Sequence, residues 1–430
     1  MDKIFESQGF LKLQAFGEKI GSNKAINAIQ GALMGSMGII MVGAIFQLVA
    51  VIGSNLGLIE VGSDIYNTLY GVYNLTMNLL SLWFVFQLGY NYAKSLKLKP
   101  MTGALNSTIG FLVLSTVGYR AATMESLTTG FLGGTGLFIA ILAGLVSVKI
   151  YHLCVKHNIV IKMPDVVPPF LSDSFSAMVP LFLTVVLWLV VSVGTISLTG
   201  VTFPEIFIGL ISMPLSALTG FWGMMVLGLV AGLLWALGIH GTMMVYVAIM
   251  PVLIEAVTSN AKAFQAGGID ALVYSPVLLF GLMACAGGTG NTIGAAFWGL
   301  RAKSEQLRAV AKAGIVPGFF NINEPITFGY PIMYNPILAI PFILNILIAL
   351  IIGHISYGLE ISIPAYINVG SVMPIGVGEF LGTLNIGNTL TTLFIVVVTS
   401  LVWYPFMKAY DKQLYAKELA DKEATANETV

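Results

Sequence analysis

Charged side chains are scarce in this sequence, and their scarcity decides its class. Asp, Glu, Lys and Arg make up 9% of the 430 residues, whereas soluble domains carry about 25%. No charged residue occurs in Ala25–Ile59, Ile65–Ala93, Ser174–Pro204, Ile206–Ile254, Ala271–Leu300, Pro325–Leu359 or Phe380–Met407. Each exceeds the ~20 residues that a helix needs to cross a bilayer. The sequence is therefore incompatible with a soluble domain and predicts a multi-pass membrane protein.

The sequence has only two cysteines and lacks the common catalytic motifs. Cys154 and Cys285 are isolated from each other and from any cluster of metal-ligating residues, so we interpret them as buried free thiols. The chain has no GxSxG, HExxH or Walker motif. With a formal net charge of zero, it also lacks the basic stripe of a nucleic-acid-binding protein. We predict no metal, no organic cofactor and no nucleic-acid partner.

The apolar intervals predict an all-α protein with about ten membrane-crossing helices. We place these spans at Ile29–Ile52, Tyr66–Tyr92, Met101–Val117, Gly130–Ile150, Phe175–Thr199, Gly220–Leu237, Thr242–Val257, Ala271–Ala296, Pro331–Ile352 and Gly387–Met407. The first 24 residues alternate lysines with apolar residues and lack an apolar signal-peptide core, which predicts an amphipathic helix at the membrane interface. Pro204–Leu218 predicts a second interfacial helix.

Lysine and arginine predict the orientation of these spans, because cytoplasmic loops hold the excess of both. The basic segments Lys94–Lys99, Lys149–Lys162 and Arg301–Lys312 fall on the same side as both termini. The opposite loops, Gly53–Asp64 and Gly200–Leu218, contain no Lys or Arg. Both termini are therefore predicted to be cytoplasmic.

A proline-rich segment, Ile161–Asp173, divides the chain, since Pro164, Pro168 and Pro169 prevent a continuous helix. The predicted regions are an N-terminal membrane half with the interfacial helix and the first four spans at 1–163, a C-terminal membrane half at 164–408, and a charged cytoplasmic tail at 409–430.

The segment Asn321-Ile322-Asn323-Glu324-Pro325 places an acidic group in an apolar region. Glu324 is the only charged residue between Lys312 and Glu360. A carboxylate at membrane depth costs roughly 3 kcal/mol, so such residues usually line a cavity and have a function. Neighbouring prolines and glycines prevent a plain spanning helix and predict a re-entrant hairpin instead. The alternative is that Glu324 lies in an ordinary cytoplasmic loop.

Two glycine-rich patches also interrupt the apolar pattern. Gly238 and Gly241 flank His240 in Gly-Ile-His-Gly and permit a sharp backbone break with close ligand approach, although a lone histidine can also be a packing residue. Trp235 precedes this break and can stack on a sugar or anchor the chain at the interface. The second patch, Gly-Gly-Thr-Gly-Asn-Thr, offers backbone amides to a ligand or allows tight helix packing, and its candidate ligand-binding residues are Gly288, Thr289 and Asn291.

These patches resemble the membrane subunit, component IIC, of bacterial sugar phosphotransferase systems in the lactose, cellobiose and diacetylchitobiose branch. The resemblance is carried by MPDVVPPFLSDSFSAMVP (Met163–Pro180), GIHG (Gly238–Gly241), GGTGNT (Gly287–Thr292) and FFNINEPITFGYPIMYNP (Phe319–Pro336). It implies ten spans, two re-entrant hairpins, and a homodimer in the bacterial cytoplasmic membrane whose N-terminal spans form the dimer interface. The C-terminal half would hold the sugar.

The resemblance also implies the chemistry. Phosphorylated component IIB, supplied by enzyme I, HPr and IIA, would transfer a phosphoryl group from its phosphocysteine to the 6-hydroxyl of a bound β-linked disaccharide, diacetylchitobiose or cellobiose. Neither cysteine here opens a strand-to-helix phosphate loop, so no phosphorylation site is expected on this chain. Glu324 would be the base, His240 would hold the reacting hydroxyl or the phosphate, and Asn321 and Asn323 would bind the sugar.

Several alternatives remain open at the level of sequence. The chain can be a proton-coupled secondary sugar transporter that uses Glu324 as its proton carrier, or a membrane sensor or scaffold without sugar flux. Arg301, Arg308 and Lys312 are spaced at i, i+7 and i+11, which predicts one helical face for docking IIB. The same residues equally fit an ordinary positive-inside signal.

Overall fold

A computed structural model describes residues 22–116, 129–164, 167–238, 240–330, 332–333, 335–369 and 373–428. The predicted N-terminal interfacial helix lies almost entirely outside these residues. Within them the protein is all-helical, with no β-strand. The helices are α1 Lys24–Asn55, α2 Asp64–Met77, α3 Leu80–Ser95, α4 Pro100–Thr116, α5 Leu137–Lys156, α6 Pro169–Thr199, α7 Phe203–Thr219, α8 Phe221–Ala236, α9 Gly241–Gly267, α10 Val277–Leu282, α11 Ile293–Gly299, α12 Glu305–Phe319, α13 Glu324–Gly329, α14 Pro336–Gly358, α15 Val377–Thr383 and α16 Ile386–Glu428.

Six of the described helical stretches are long and apolar enough to cross a membrane. They are Lys24–Ser54, Asp64–Ser95, Gly134–Lys156, Ser172–Thr199, Ile337–Gly358 and Ile386–Lys422. The prediction of an all-α protein with several membrane spans is confirmed at this level. The prediction of one continuous span at Ala271–Ala296 is wrong, because two short helices, α10 and α11, occupy this interval.

The interruption between α10 and α11 has a local cause. Gly287, Gly288 and Gly290 all have positive φ, between 74° and 86°. That region of backbone space is open to glycine but strained for other residues, so the helix cannot continue through it. A 3₁₀ turn, Thr289–Asn291, joins the two short helices.

Helices of the N-terminal part pack through small and hydroxyl residues. This compact unit contains Lys19–Ser216 and Met250–Thr258. A side chain added at Gly89 of α3 would lie 2.5 Å from the carbonyl oxygen of Gly103 in α4, so these two backbones are in direct contact. Ser147 of α5 accepts from Asn106 through its carbonyl oxygen (2.8 Å) and from the Trp188 indole through its hydroxyl (3.0 Å). These interhelical bonds satisfy polar groups that lipid cannot.

The second compact unit contains Ala217–Ile249 and Ser259–Val430. Its helices also approach closely at glycines, with a side chain at Gly294 of α11 placed 2.6 Å from the Ser400 hydroxyl of α16. The Trp298 indole of α11 donates to the Ser400 carbonyl at 2.6 Å. Thus α11 is fixed along α16, and the glycine-rich turn that precedes α11 is fixed with it.

Predicted breaks and helices elsewhere agree with the structure. No helix crosses the proline-rich divider, since α5 ends at Lys156 and α6 begins at Pro169. Pro204–Leu218 is helical as part of α7.

Two helices near the charged segments differ from the predictions. Helix α16 does not stop at Met407 but continues through the charged tail to Glu428. Helix α12 begins at Glu305, so the prediction that Arg301 shares its face with Arg308 and Lys312 is wrong.

Candidate functional site

The helix break between α8 and α9 places His240 at the start of α9. Gly238 takes a positive φ of 79° and ends the α8 turn, while Gly241 passes so close to Ala231 that a β-carbon would overlap its carbonyl. His240 is the N-cap of α9, and its Nδ1 accepts from the Met243 amide at 3.3 Å. An accepting Nδ1 carries no proton, so a neutral His240 holds its proton on Nε2.

Glu324 faces that second ring nitrogen. His240 Nε2 and Glu324 Oε1 are 3.9 Å apart, with side-chain exposures of 42% and 48%. This separation exceeds an ordinary hydrogen bond, in which the heavy atoms are about 2.8–3.0 Å apart. A hydroxyl oxygen placed to one side of the line that joins the two atoms can lie about 2.8 Å from each of them. It would accept from Nε2–H and donate to the carboxylate.

Trp235 lies beneath His240 rather than open to solvent. Its side chain is 1% exposed, and its ring centroid is 4.3 Å from that of His240. Its indole N–H donates to the Thr242 hydroxyl at 3.1 Å. Trp235 therefore packs against the imidazole of His240 and supports it. Its assignment as a sugar-binding residue stays a prediction.

The glycine-rich turn is joined to the His240 segment through hydroxyl groups. Thr242 Oγ1 and Thr289 Oγ1 are 2.6 Å apart. The backbone carbonyl of Thr289 accepts from the Asn323 side chain at 2.9 Å. A β-carbon on Gly288 would lie within the Asn323 side chain, so only glycine permits this contact. These bonds bring the predicted GIHG, GGTGNT and NINEP patches into one cluster.

Asn321 and Asn291 mainly organise backbone in this cluster. Asn321, at a positive φ of 65°, accepts from the Gly287 amide (2.7 Å) and donates to the Met373 carbonyl (3.1 Å). Asn291 is fully buried and donates to the Ala286 carbonyl at 2.9 Å. Gly288, Thr289 and Asn323 are also buried. Gly238, His240 and Glu324 are therefore the exposed members of the predicted set.

Sequence reasoning missed one exposed aromatic residue beside this cluster. Phe328 lies four residues after Glu324 on α13, is 61% exposed, and has its ring centroid 6.3 Å from that of Trp235. The i, i+4 spacing from Glu324 places both side chains on one face of α13. The same spacing is present in the sequence, and it could have identified Phe328 as a candidate site residue.

Comparison with known proteins identifies the family. A family model described as "Phosphotransferase system, EIIC" matches residues 30–345. The chain belongs to this family. The resemblance seen in the four sequence motifs is thereby confirmed, and the protein is the membrane component of a sugar phosphotransferase system.

Individual relatives match this EIIC along most of its length. The lactose-specific EIICB component of Lacticaseibacillus casei is 31% identical over 98% of this chain and 73% of the relative. The lichenan permease IIC component of Bacillus subtilis (strain 168) is 30% identical over 95% of this chain and 94% of the relative. The crystal structure of ChbC, the IIC component of the N,N'-diacetylchitobiose-specific system, superposes with a TM-score of 0.86 at 27% identity, covering 94% of this EIIC and 97% of ChbC.

Proposed function

We propose that this EIIC imports a β-linked disaccharide and presents its 6-hydroxyl for phosphorylation by component IIB. The relatives named for lactose and lichenan, and the structural neighbour named for diacetylchitobiose, support a β-linked substrate. Diacetylchitobiose and cellobiose are the sugars we favour. The donor is the phosphocysteine of IIB, which receives its phosphoryl group by way of enzyme I, HPr and IIA.

The observation that carries this proposal is the 3.9 Å gap between His240 Nε2 and Glu324 Oε1. A sugar hydroxyl in the gap is oriented by Nε2–H and gives its proton to Glu324 as its oxygen attacks phosphorus. The S–P bond of the donor breaks and the thiolate leaves on IIB. Since phosphoryl transfer depends mainly on positioning and charge, a base and an orienting donor are the groups this site needs to supply.

Phe328 gives the site an apolar surface for the sugar ring. Sugars expose an apolar face of C–H groups, and aromatic side chains bury that face while hydroxyls keep their hydrogen bonds. Phe328 and His240 flank the Trp235 ring. We assign Phe328 to ring stacking, Asn321 and Asn323 to the support of the segment that carries Glu324, and the glycine-rich turn to the support of both.

The proposal includes the arrangement of the whole protein in the membrane. We propose ten spans and two re-entrant hairpins, one of them in the α12–α13 region, with both termini in the cytoplasm. Two copies would associate through the N-terminal spans, leaving the C-terminal half to hold the sugar. The charged residues of the cytoplasmic side would meet IIB.

The test is phosphoryl transfer from phosphorylated IIB to saturating sugar by purified Glu324→Gln protein. Loss of a general base lowers rates by roughly 10²–10⁴-fold, and we expect a loss of that size. The matched control is Glu60→Gln, which neutralises an exposed carboxylate in the other compact unit. Transfer close to wild type in Glu324→Gln would show that Glu324 only holds the sugar.

Mass spectrometry of the sugar accumulated by cells separates group translocation from proton-coupled transport. We expect the phosphorylated disaccharide. Accumulation of unmodified sugar that still depends on Glu324 would support the secondary transporter instead, and absence of any sugar flux would support a sensor or scaffold.

A further inference from the structure

The charged end of α16 holds the start of α12 through three side chains. We call Asp411, Glu418 and Lys422 the tail clamp. The Asp411 carboxylate accepts from the amides of Lys303 (3.0 Å) and Ser304 (2.8 Å). Lys422 pairs with Glu305 at 2.9 Å. Asp411 and Glu418 are separated by two helical turns and Lys422 by one more, so the tail clamp forms one face of α16.

Glu418 makes the largest set of bonds in the tail clamp. Its carboxylate accepts from the amides of Glu305 (3.0 Å) and Gln306 (3.2 Å) and from the hydroxyl of Ser304 (2.6 Å). The first amides of a helix have no partner inside the helix and carry a partial positive charge. Two carboxylates from another helix therefore satisfy the start of α12 where a local cap alone would leave amides open.

Helix α12 in turn carries α13, which begins at Glu324. The Tyr330 hydroxyl donates to the Leu307 carbonyl at 3.2 Å. A β-carbon on Gly329 would lie 2.5 Å from Val310, and one on Gly314 would lie 2.5 Å from Ile326. These contacts pack α13 directly against α12, so a shift of α13 along α12 would require both helices to repack.

From this chain of contacts we infer that the tail clamp is a positioning device for Glu324. The tail clamp fixes α12, α12 fixes α13, and α13 sets where the Glu324 carboxylate stands relative to His240. The inference rests on the proposed role of Glu324 as base. It assigns a catalytic consequence to three tail residues whose bonds are made to residues 303–306.

The first test is hydrogen exchange of the full chain in nanodiscs, followed by mass spectrometry. Glu418→Ala is expected to speed exchange in peptides covering both 303–307 and 323–330, with Glu60→Ala as the matched control. Glu418→Gln keeps one acceptor oxygen and is expected to give an intermediate effect. Faster exchange confined to 303–307 would overturn the inference, because the disturbance would not reach α13. This experiment does not depend on what Glu324 does.

The second test is a double-mutant cycle on phosphoryl transfer at saturating sugar and IIB. Glu418→Ala alone is expected to lower transfer about 10-fold, since a displacement of ~1 Å can cost up to 10²-fold. In a Glu324→Gln background the same change is expected to add less than about 2-fold, because no base remains to be displaced. Equal losses in both backgrounds, or no loss in either, would overturn the inference. Near wild-type transfer by Glu324→Gln alone would instead refute the proposed base, and the exchange result would then decide the tail clamp by itself.

Discussion

At the scale of single residues, the two nitrogens of His240 have separate tasks. Nδ1 caps α9 by accepting from the Met243 amide, whereas Nε2 faces Glu324. We expect His240→Asn to retain the cap, because asparagine is among the preferred N-cap residues, and to lose the donor that faces the gap. His240→Ala removes both.

The two His240 variants therefore separate stability from chemistry. The free energy of unfolding of His240→Ala should be about 1 kcal/mol lower than that of His240→Asn. The difference is measured as a lower midpoint temperature of thermal unfolding in detergent. Both should lower phosphoryl transfer at saturating sugar by roughly 10-fold, the value of one lost hydrogen bond of about 1.4 kcal/mol. Wild-type transfer by His240→Asn would contradict the role given to Nε2.

Phe328 is expected to affect sugar affinity rather than chemistry. Phe328→Ala removes the exposed ring beside Trp235 and should weaken sugar binding by about 10-fold, since partial burial of a phenyl ring is worth roughly 1–2 kcal/mol. Transfer at saturating sugar should change little. Phe182→Ala is the matched control, an equally exposed phenylalanine at 66% in the other compact unit. Unchanged affinity measured by calorimetry would remove Phe328 from the sugar site.

At the scale of elements, the glycine-rich turn places NINEP against GIHG. Gly288 has φ +86° and its missing side chain is replaced by that of Asn323. Gly288→Ala should cost about 1–2 kcal/mol for the backbone alone and displace Asn323 as well, lowering both unfolding temperature and transfer. Gly358→Ala is the control, because nothing lies within 4 Å of a β-carbon there. A Gly288→Ala protein with normal stability and transfer would show that the close contact is dispensable.

Helix α12 also offers two exposed cations for docking IIB. Arg308 and Lys312 are one helical turn apart and exposed, while Arg301 lies outside the helix over the Phe297 ring at 4.0 Å. Reversing Arg308 and Lys312 to Glu should raise the IIB concentration needed for half-maximal transfer several-fold at low salt, with sugar binding unchanged. Lys262→Glu is the control, because it reverses an exposed lysine that lies outside α12. Equal transfer at limiting IIB would leave these residues as a topology signal only.

The sequence predicted the members of this cluster better than the connections between them. Helix-breaking glycines and a lone carboxylate are visible in the sequence, so GIHG, GGTGNT and NINEP were found. The Thr242–Thr289 contact joins residues 47 positions apart, and no local pattern indicates it. The tail clamp was missed for the same reason. From the sequence its residues are predicted to form a solvated charged tail, whereas in the structure Glu418 accepts a hydrogen bond from the Ser304 hydroxyl.

At the scale of the whole molecule, apolar length predicted most spans because lipid imposes a minimum helix length and no other pattern is needed to see it. The rule gave a wrong prediction for the interval Ala271–Ala296. Its hydropathy is suitable for a span, but Gly287, Gly288 and Gly290 break the helix at positive φ. Composition averages over a window and cannot register such a break, whereas the backbone conformation of three residues decides it.

The last prediction concerns membrane orientation, and it rests on the distribution of lysines among the loops. The last turn of α3 and the loop before α4 contain Lys94, Lys97 and Lys99, whereas the loop between α1 and α2 has no Lys or Arg. Basic loops resist translocation, so the first loop should be cytoplasmic and the second external. Leu58, which is 78% exposed, and the exposed Lys417 provide labelling positions on the two predicted sides.

In a parent with Cys154 and Cys285 replaced by Ser, Leu58→Cys should react with a membrane-impermeant maleimide in intact cells. Lys417→Cys should react only after permeabilisation. The unlabelled parent controls for other proteins, and labelling of both positions after permeabilisation shows that each is accessible. Because the tail clamp joins Lys417's helix to α12, an external Lys417 would also place the α12 cations on the wrong side of the membrane for IIB, and the proposed docking face would fall with the orientation.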